Sequence, residues 1–296
     1  MTRPNPKSFP LYTAVVTPFF ADGKVNYSEL ASLLREQEKA GNGVVILGST
    51  GEGLALRDEE KREIVNFTAA AKLHVPVLVG VAGAQLDETI QFIRFCETQA
   101  IDGYLMPVPL YAKPGVEGQY HWFSSLLDTV SRPAMLYNVP SRTGVKMHGE
   151  VLRRLDGKAN AWAVKEASGS VTEFSALKAQ GPHFAFYSGD DALTPEFAKH
   201  GAVGLVSVAS NVWPEATNRF VRLAIAGKTE GLLPLWSDAC DTLFLASNPV
   251  PVKALLAAKK KISLALVRPP LSEKDLSNLA PLLKADEAIT NWHKNA

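Results

Sequence analysis

The chain has 296 residues, 46% of them hydrophobic and 21% charged, a balance that can build a large buried core and is unlike that of a disordered chain. Its 31 Lys and Arg nearly cancel 30 Asp and Glu, and no basic cluster is interleaved with aromatics, so neither a nucleic acid nor an anionic membrane is an expected partner. The expected ligand is small.

The opening stretch "MTRPNPKSFP" is polar and proline-rich, without the apolar centre of a signal peptide. No later run reaches the length of a membrane span, which points to a cytoplasmic protein. The first strand-like run is "LYTAVV" (11–16), followed by the helical pattern "YSELASLLREQEKAG", in which Ser28 is the expected N-cap and Gly41 the expected C-cap. "GVVILG" (43–48) leads into "LRDEEKREIVNFTAAAK", "PVLVGV" (76–81) into "LDETIQFIRFCETQA", and "GYLMPV" (103–108) into "GQYHWFSSLLDTV". Further runs are "PAMLYNV" (133–139), "AWAVK" (161–165), "FAFYSG" (184–189) and "AVGLVSV" (202–208).

These eight runs are apolar throughout instead of alternating, as parallel strands covered on both faces must be. Strand and helix alternate every 20 to 35 residues or so, which fits an α/β TIM (β/α)8 barrel better than an open doubly wound sheet. The expected barrel spans residues 1–211. Residues 212–296 read as a C-terminal helical extension packed on its side. Cys96 and Cys240 fall in helical patterns, form no C-x-x-C pair and read as ordinary thiols.

In such a barrel the chemistry belongs where the strands end. The residues just past the runs are Thr17-Pro18, Ser49-Thr50-Gly51-Glu52-Gly53, Tyr111, Tyr137-Asn138, Lys165-Glu166, Gly189-Asp190-Asp191 and Ser207. Hydroxyls, one lysine and carboxylates thus share a rim.

The six histidines (His74, His121, His148, His183, His200, His293) avoid the strand ends and show no H-x-H or H-E-x-x-H spacing, so no metal is expected. Asp190 and Asp191 could hold an ion. The plainer expectation is that one ends its strand while Thr194 caps a helix begun by Pro195. "AGKTEG" lacks the earlier glycine of a phosphate loop, since Arg222 stands there, and no G-x-G-x-x-G follows the first strand; no cofactor is expected.

Covalent lysine chemistry remains. An amine attacks a carbonyl only when unprotonated, and an apolar strand that delivers a lysine into a barrel mouth desolvates it toward that state. Lys165 alone among the lysines ends one of the eight runs. Tyr137, Ser49, Thr50 and Tyr111 offer hydroxyls that can relay protons, although each tyrosine could equally be a core residue bonded to a loop.

"VVTPF" (15–19), "LGSTGEG" (47–53), "LYNVPSRTG" (136–144), "VKEASG" (164–169), "SGDD" (188–191), "SVASNV" (207–212) and "NPVPVK" (248–253) together resemble the dihydrodipicolinate synthase family, in order and over nearly the whole chain. That family belongs to the pyruvate-dependent aldolases, with N-acetylneuraminate lyase. The tyrosine of "YNVPSRTG" is shared across the superfamily; the arginine two residues past its proline is typical of the synthases.

The resemblance implies that Lys165 forms a Schiff base with pyruvate, and that Tyr137, Ser49 and a Tyr111 reaching in from a neighbouring subunit relay protons. It implies that Thr50 and the backbone at Val206 hold pyruvate, that Gly189 shapes the pocket floor, and that Arg142 grips the carboxylate of L-aspartate 4-semialdehyde. The product would be 4-hydroxy-tetrahydrodipicolinate, on the route to diaminopimelate and lysine. The assembly would be a homotetramer, a dimer of tight dimers with "PVPLYAKPGVEG" at the tight interface.

Two departures stand out: the family's paired threonines are Ser49-Thr50 here, and the turn after the third strand is "GVAGAQ". Two other functions fit the same barrel, a sugar-type aldolase that keeps Lys165 and Tyr137, and a non-catalytic ligand-binding protein. Arg142 argues against the first, and the retained lysine and hydroxyls against the second. In lysine-inhibited relatives an effector pocket carries histidines, an asparagine, a glutamate and a tyrosine where this chain has Asp58, Lys61, Ala84, Glu88 and Leu110. Insensitivity to L-lysine, or weak sensitivity, follows from that comparison.

Overall fold

The structure is a computed structural model that describes residues 4–295; Met1, Thr2 and Arg3 of the polar opening stretch, and Ala296 of the helical extension, lie outside the described residues. Eight strands, β1 (Leu11–Ala14), β2 (Gly43–Ile46), β3 (Val77–Gly80), β4 (Gly103–Pro107), β5 (Ala134–Asn138), β6 (Ala161–Glu166), β7 (Ala185–Ser188) and β8 (Gly204–Ser207), close in sequence order into one parallel barrel. Each coincides with one of the apolar runs, and only β6 extends past its run, by the single residue Glu166. Continuous hydrophobicity is what a strand needs when one face meets the barrel interior and the other meets helices.

Among the described residues, eight helices follow the first seven strands: α1 (Tyr27–Ala40), α2 (Asp58–Ala70), α3 (Leu86–Glu97), α4 (Val116–Thr129), the single turn α5 (Pro140–Thr143) and α6 (Gly149–Leu155), both after β5, α7 (Val171–Gln180) and α8 (Thr194–Lys199). Four more close the chain: α9 (Pro214–Ile225), α10 (Leu233–Thr242), α11 (Val250–Ala258) and α12 (Ala280–Asn295). Trp236 of α10 is sandwiched there, stacked on Phe220 of α9 at 4.0 Å and edge-on to Trp292 of α12 at 6.3 Å. No helix among the described residues is long and apolar enough to cross a membrane.

The core has two shells. Inside the barrel, Tyr12, Trp162 and Tyr187 meet edge to face at 5.6–6.2 Å, and their layer is continued by Val45, Leu78 and Met135. The hydroxyls of Tyr12 and Tyr187 donate to the carbonyls of Pro6 (2.6 Å) and Phe9 (2.9 Å), so the N-terminal segment closes this end of the barrel. The larger shell lies between strands and helices and includes Leu136, Val164 and Phe186. Cys96 and Cys240 are buried and unpaired, and burial raises both thiols, Cys96 to about 12, which makes them inert packing groups.

Two cap expectations need correction. Helix α1 is capped by Asn26, whose Oδ1 accepts from the Glu29 amide at 3.2 Å, while Ser28 lies inside the first turn; the Asn26 amide donates to the Pro18 carbonyl, which fixes the chain before Ser28 is reached. Thr194 opens α8 without capping it. Its hydroxyl donates to the Asp190 carbonyl at 2.9 Å, and Asp190 Oδ1 instead accepts the amides of Ala192 (3.1 Å) and Leu193 (3.2 Å), so a carboxylate organises this turn.

Candidate active site

Side chains alternate in and out along a strand. On β5, Met135 and Tyr137 point into the barrel while Leu136 packs outward; on β6, Ala163 is inward and Val164 outward. Lys165 therefore points inward, in register with Tyr137 on one side and Tyr187 on the other. The same alternation turns Asn138 and Glu166 outward. They meet at 2.6 Å, and the Ser168 amide fills the second carboxylate oxygen of Glu166 at 2.7 Å. Glu166 thus stabilises the strand end and does not share the barrel mouth with Lys165.

Lys165 is 6% exposed, with its Nζ 4.4 Å from the centre of the Tyr137 ring. Burial pulls its pKa down to about 7; buried Asp191 draws it up, and the Arg142 guanidinium lowers it further. A large fraction of this amine is consequently neutral near pH 7, as addition to a carbonyl requires. Asp191 does not face the ligand space as a free carboxylate. It accepts from Ser207 Oγ (2.5 Å) and from the amides of Val208 (2.9 Å) and Ala209 (3.3 Å).

Tyr137 is buried, and burial pushes its phenol up to about 12, against the opposing pull of Arg142 and of a hydrogen bond to Ser49. A phenol in that state is a proton donor that can also accept, with Ser49 as its contact in this chain. Gly189 borders the lysine. A Cβ there would stand 2.6 Å from Ala167 Cβ and 2.9 Å from Lys165 Cε, so any side chain would push into the stem of Lys165.

The Ser49-Thr50 pair rides on a tight loop after β2. Gly53 passes so close that a Cβ would lie 2.1 Å from the Leu47 carbonyl, and Leu47 and Glu52 take positive φ values of 59° and 56°. The Glu52 carboxylate is buried against Lys253 of α11, whose Nζ also donates to the Leu266 carbonyl at 2.8 Å. Burial lowers Lys253 to about 8 even though Glu52 draws it up. This buried pair ties the loop to the C-terminal helices. Nearby, Thr50 Oγ1 accepts from Asn248 Nδ2 at 2.9 Å, and the Asn248 carbonyl lies 3.4 Å from Arg142 Nη2.

A cleft of about 1030 Å3 opens over this region, lined among others by Ser49, Tyr111, Tyr137, Arg142, Asn248 and Arg268. Lys165, Thr50 and Gly189 are not among the residues that line it, and Val206 is wholly buried on β8. Tyr111 is the outlier. It is 94% exposed, with φ 65° at the centre of a γ-turn closed by the Ala112 amide on the Leu110 carbonyl (2.7 Å), a sparsely used backbone conformation.

Sequence reasoning therefore finds the lysine, the phenol, the hydroxyl pair and the arginine in one region. It misses Asn248 and the Glu52–Lys253 pair, although the motif "NPVPVK" held both Asn248 and Lys253. A lysine inside the apolar stretch "VPVKALLAA" was the available signal, because a buried charge needs a partner. Among the described residues no group of three or more His, Cys, Asp or Glu side chains gathers to hold a metal ion.

The family model described as the dihydrodipicolinate synthetase family matches residues 7–286. A Francisella philomiragia protein named 4-hydroxy-tetrahydrodipicolinate synthase is 46% identical over 285 residues, 95% of this chain and 96% of its own. The solved structure of the 4-hydroxy-tetrahydrodipicolinate synthase of Methylacidiphilum fumariolicum SolV superposes with a TM-score of 0.91 at 34% identity, covering 97% of this chain and 98% of its own. The chloride-inhibited dihydrodipicolinate synthase of Acinetobacter baumannii, solved in complex with pyruvate, superposes with a TM-score of 0.88 at 30% identity, covering 95% of this chain and 99% of its own.

Proposed function

Since this chain belongs to the dihydrodipicolinate synthetase family, we propose that it is a lyase that condenses pyruvate with L-aspartate 4-semialdehyde to 4-hydroxy-tetrahydrodipicolinate, serving diaminopimelate and lysine synthesis. The observation that carries this is Lys165, an inward-facing lysine lowered to about 7 beside a buried phenol. Its neutral amine adds to the keto carbon of pyruvate, and loss of water leaves an iminium. Removal of a methyl proton gives the enamine, which forms a carbon–carbon bond to the aldehyde carbon of the semialdehyde. The amino group of the bound semialdehyde then displaces Lys165 from the former keto carbon, closing the ring and regenerating the free amine.

Tyr137 supplies and recovers protons through Ser49 in this scheme, and Tyr111 of a neighbouring subunit extends the relay. The exposed Tyr111 on the cleft rim supports an assembly in which a second copy packs there, a homotetramer built from tight dimers. Thr50 and the Val206 backbone hold pyruvate, Gly189 leaves room for its adduct, and Arg142 takes the semialdehyde carboxylate, for which a planar two-donor fork is suited. A cytoplasmic setting fits this role.

Borohydride reduction in the presence of pyruvate tests the covalent step: a reduced three-carbon adduct is expected on the peptide containing Lys165, and Lys165→Ala should lose nearly all turnover. A coupled assay with pyruvate and aspartate semialdehyde, run beside one with N-acetylneuraminate, tests the acceptor. An adduct on Lys253 alone, or turnover of the sugar acid instead of the semialdehyde, sinks the proposal.

A further inference from the structure

Asn248 reaches the cleft from the C-terminal helices and not from the barrel. It precedes α11, whose Lys253 is locked to Glu52, so Asn248 and the Ser49-Thr50 loop are held to each other at two points. Its amide nitrogen donates to Thr50 Oγ1 at 2.9 Å, and both side chains are almost wholly buried, at 5% and 3% exposure. A threonine hydroxyl has one proton and two acceptor sites. By accepting from Asn248, Thr50 keeps its proton for a donor bond of its own.

Turned over, the Asn248 amide would present its oxygen to Thr50 and spend that proton inside the protein. The orientation in the structure leaves Asn248 Oδ1 buried and without a partner among the described residues, an unsatisfied acceptor of the kind that folded chains keep chiefly where function needs it. We infer that Asn248 is a positioning residue for pyruvate, acting through Thr50 by committing its hydroxyl as a donor to the pyruvate carboxylate. The inference rests on the reading of this site as a pyruvate site. It gives the C-terminal helices a part in substrate binding that the barrel alone does not supply.

The Asn248 carbonyl, which faces Arg142, is untouched by any side-chain substitution, so the two substrates separate the effects. The test titrates pyruvate in borohydride trapping on Lys165, which needs no semialdehyde, for the wild type, Asn248→Ala, Asn248→Asp, Thr50→Val and the double variant Asn248→Ala/Thr50→Val. Losing an oriented donor to a carboxylate should raise half-saturating pyruvate by about tenfold in Asn248→Ala, and by at least as much in Thr50→Val. The double variant should be no worse than Thr50→Val alone, the signature of one residue acting through the other.

Asn248→Asp keeps the shape of the side chain but accepts the Thr50 proton and adds a like charge, so its pyruvate affinity should fall below that of Asn248→Ala. The KM of Asn248→Ala for aspartate semialdehyde should stay within about twofold of wild type, a range that is small on the affinity scale. Additive losses in the double variant, or a semialdehyde KM that rises in step with that of pyruvate, overturn the inference. Should Asn248→Ala fail to fold, Asn248→Asp decides alone, and wild-type pyruvate binding in it is equally fatal. A wild-type chain that traps no pyruvate removes the underlying reading and the inference together, whereas normal trapping with an unmoved Asn248→Ala removes the inference only.

Discussion

Tyr137 and Lys165 occupy paired positions on neighbouring strands, and the lysine nitrogen lies 4.4 Å from the centre of the phenol ring. Parallel register puts both on the inward face at the same height, so the phenol and the amine are set by main-chain hydrogen bonds and not by flexible loops. Rigid placement of this kind is what an addition followed by proton transfers requires.

The first prediction concerns pH. An ordinary lysine near 10.5 is almost fully protonated at pH 7, but Lys165 is lowered to about 7, chiefly by burial. Only the neutral amine attacks, so pyruvate trapping at subsaturating pyruvate should rise with pH and level off above a midpoint near 7, falling about tenfold per pH unit well below it. Initial trapping rates across pH 5 to 9 or so provide the check; a midpoint near that of free lysine would mean the amine is not desolvated in solution.

Gly189 is expected to tolerate no side chain. A Cβ would sit 2.9 Å from Lys165 Cε and 2.6 Å from Ala167 Cβ, and overpacking of this sort typically costs about 1–3 kcal/mol. Gly189→Ala should melt at a lower temperature and should form the pyruvate adduct at least about tenfold more slowly, since displacing the lysine stem spoils the attack geometry. Wild-type trapping kinetics in a folded Gly189→Ala protein would show that the strand end yields at no consequence to the amine.

Arg142 is exposed in the open cleft and lines it together with Tyr137. Arg142→Ala should lower kcat/KM for the semialdehyde by roughly 30-fold or more, the loss of about 2 kcal/mol that follows from removing a two-donor contact to a carboxylate. Pyruvate trapping should change much less. Because the guanidinium also lowers Lys165, the pH midpoint for trapping should move upward in this variant. Equal losses with both substrates would mean that Arg142 supports the fold of the cleft instead.

Feedback by L-lysine should be weak or absent. Asp58, Lys61, Ala84 and Glu88 do gather around one pocket of about 490 Å3, while Leu110 faces the larger cleft. Arg62 also lines the pocket and is paired with Asp58 at 2.6 Å, so Lys61 and Arg62 offset the two carboxylates, Asp58 and Glu88, that could attract an effector's ammonium groups. The Ala84 side chain cannot hydrogen-bond an effector, and each missing hydrogen bond typically removes about 0.5–1.5 kcal/mol. Titrating L-lysine at subsaturating pyruvate is the measurement; saturable partial inhibition at submillimolar lysine would contradict it.

The barrel was legible in the sequence because eight uniformly apolar runs, separated by helix-length amphipathic stretches, have few other ways to bury both faces of every strand. Lys165 was legible for the same reason, as the one lysine ending such a run. The cap of α1 was misassigned because Asn26 and Ser28 are both good capping residues, and a hydrogen bond from the Asn26 amide to distant Pro18 decides between them.

The sequence by itself determined the eight strands, the lysine that ends one of them, and the residue types available at the rim, since these depend on local periodicity along the chain. Tertiary structure alone decided which polar groups are free to act. Glu166 and Asp191 share that rim on paper but are taken up by Asn138, Ser168, Ser207 and backbone amides. Asn248 and Lys253, roughly two hundred residues from Thr50 and Glu52 along the chain, become their partners. Hydrogen-bond satisfaction and desolvation depend on which groups closure of the fold brings within 3 Å or so of one another, and no local pattern in the sequence encodes that distance.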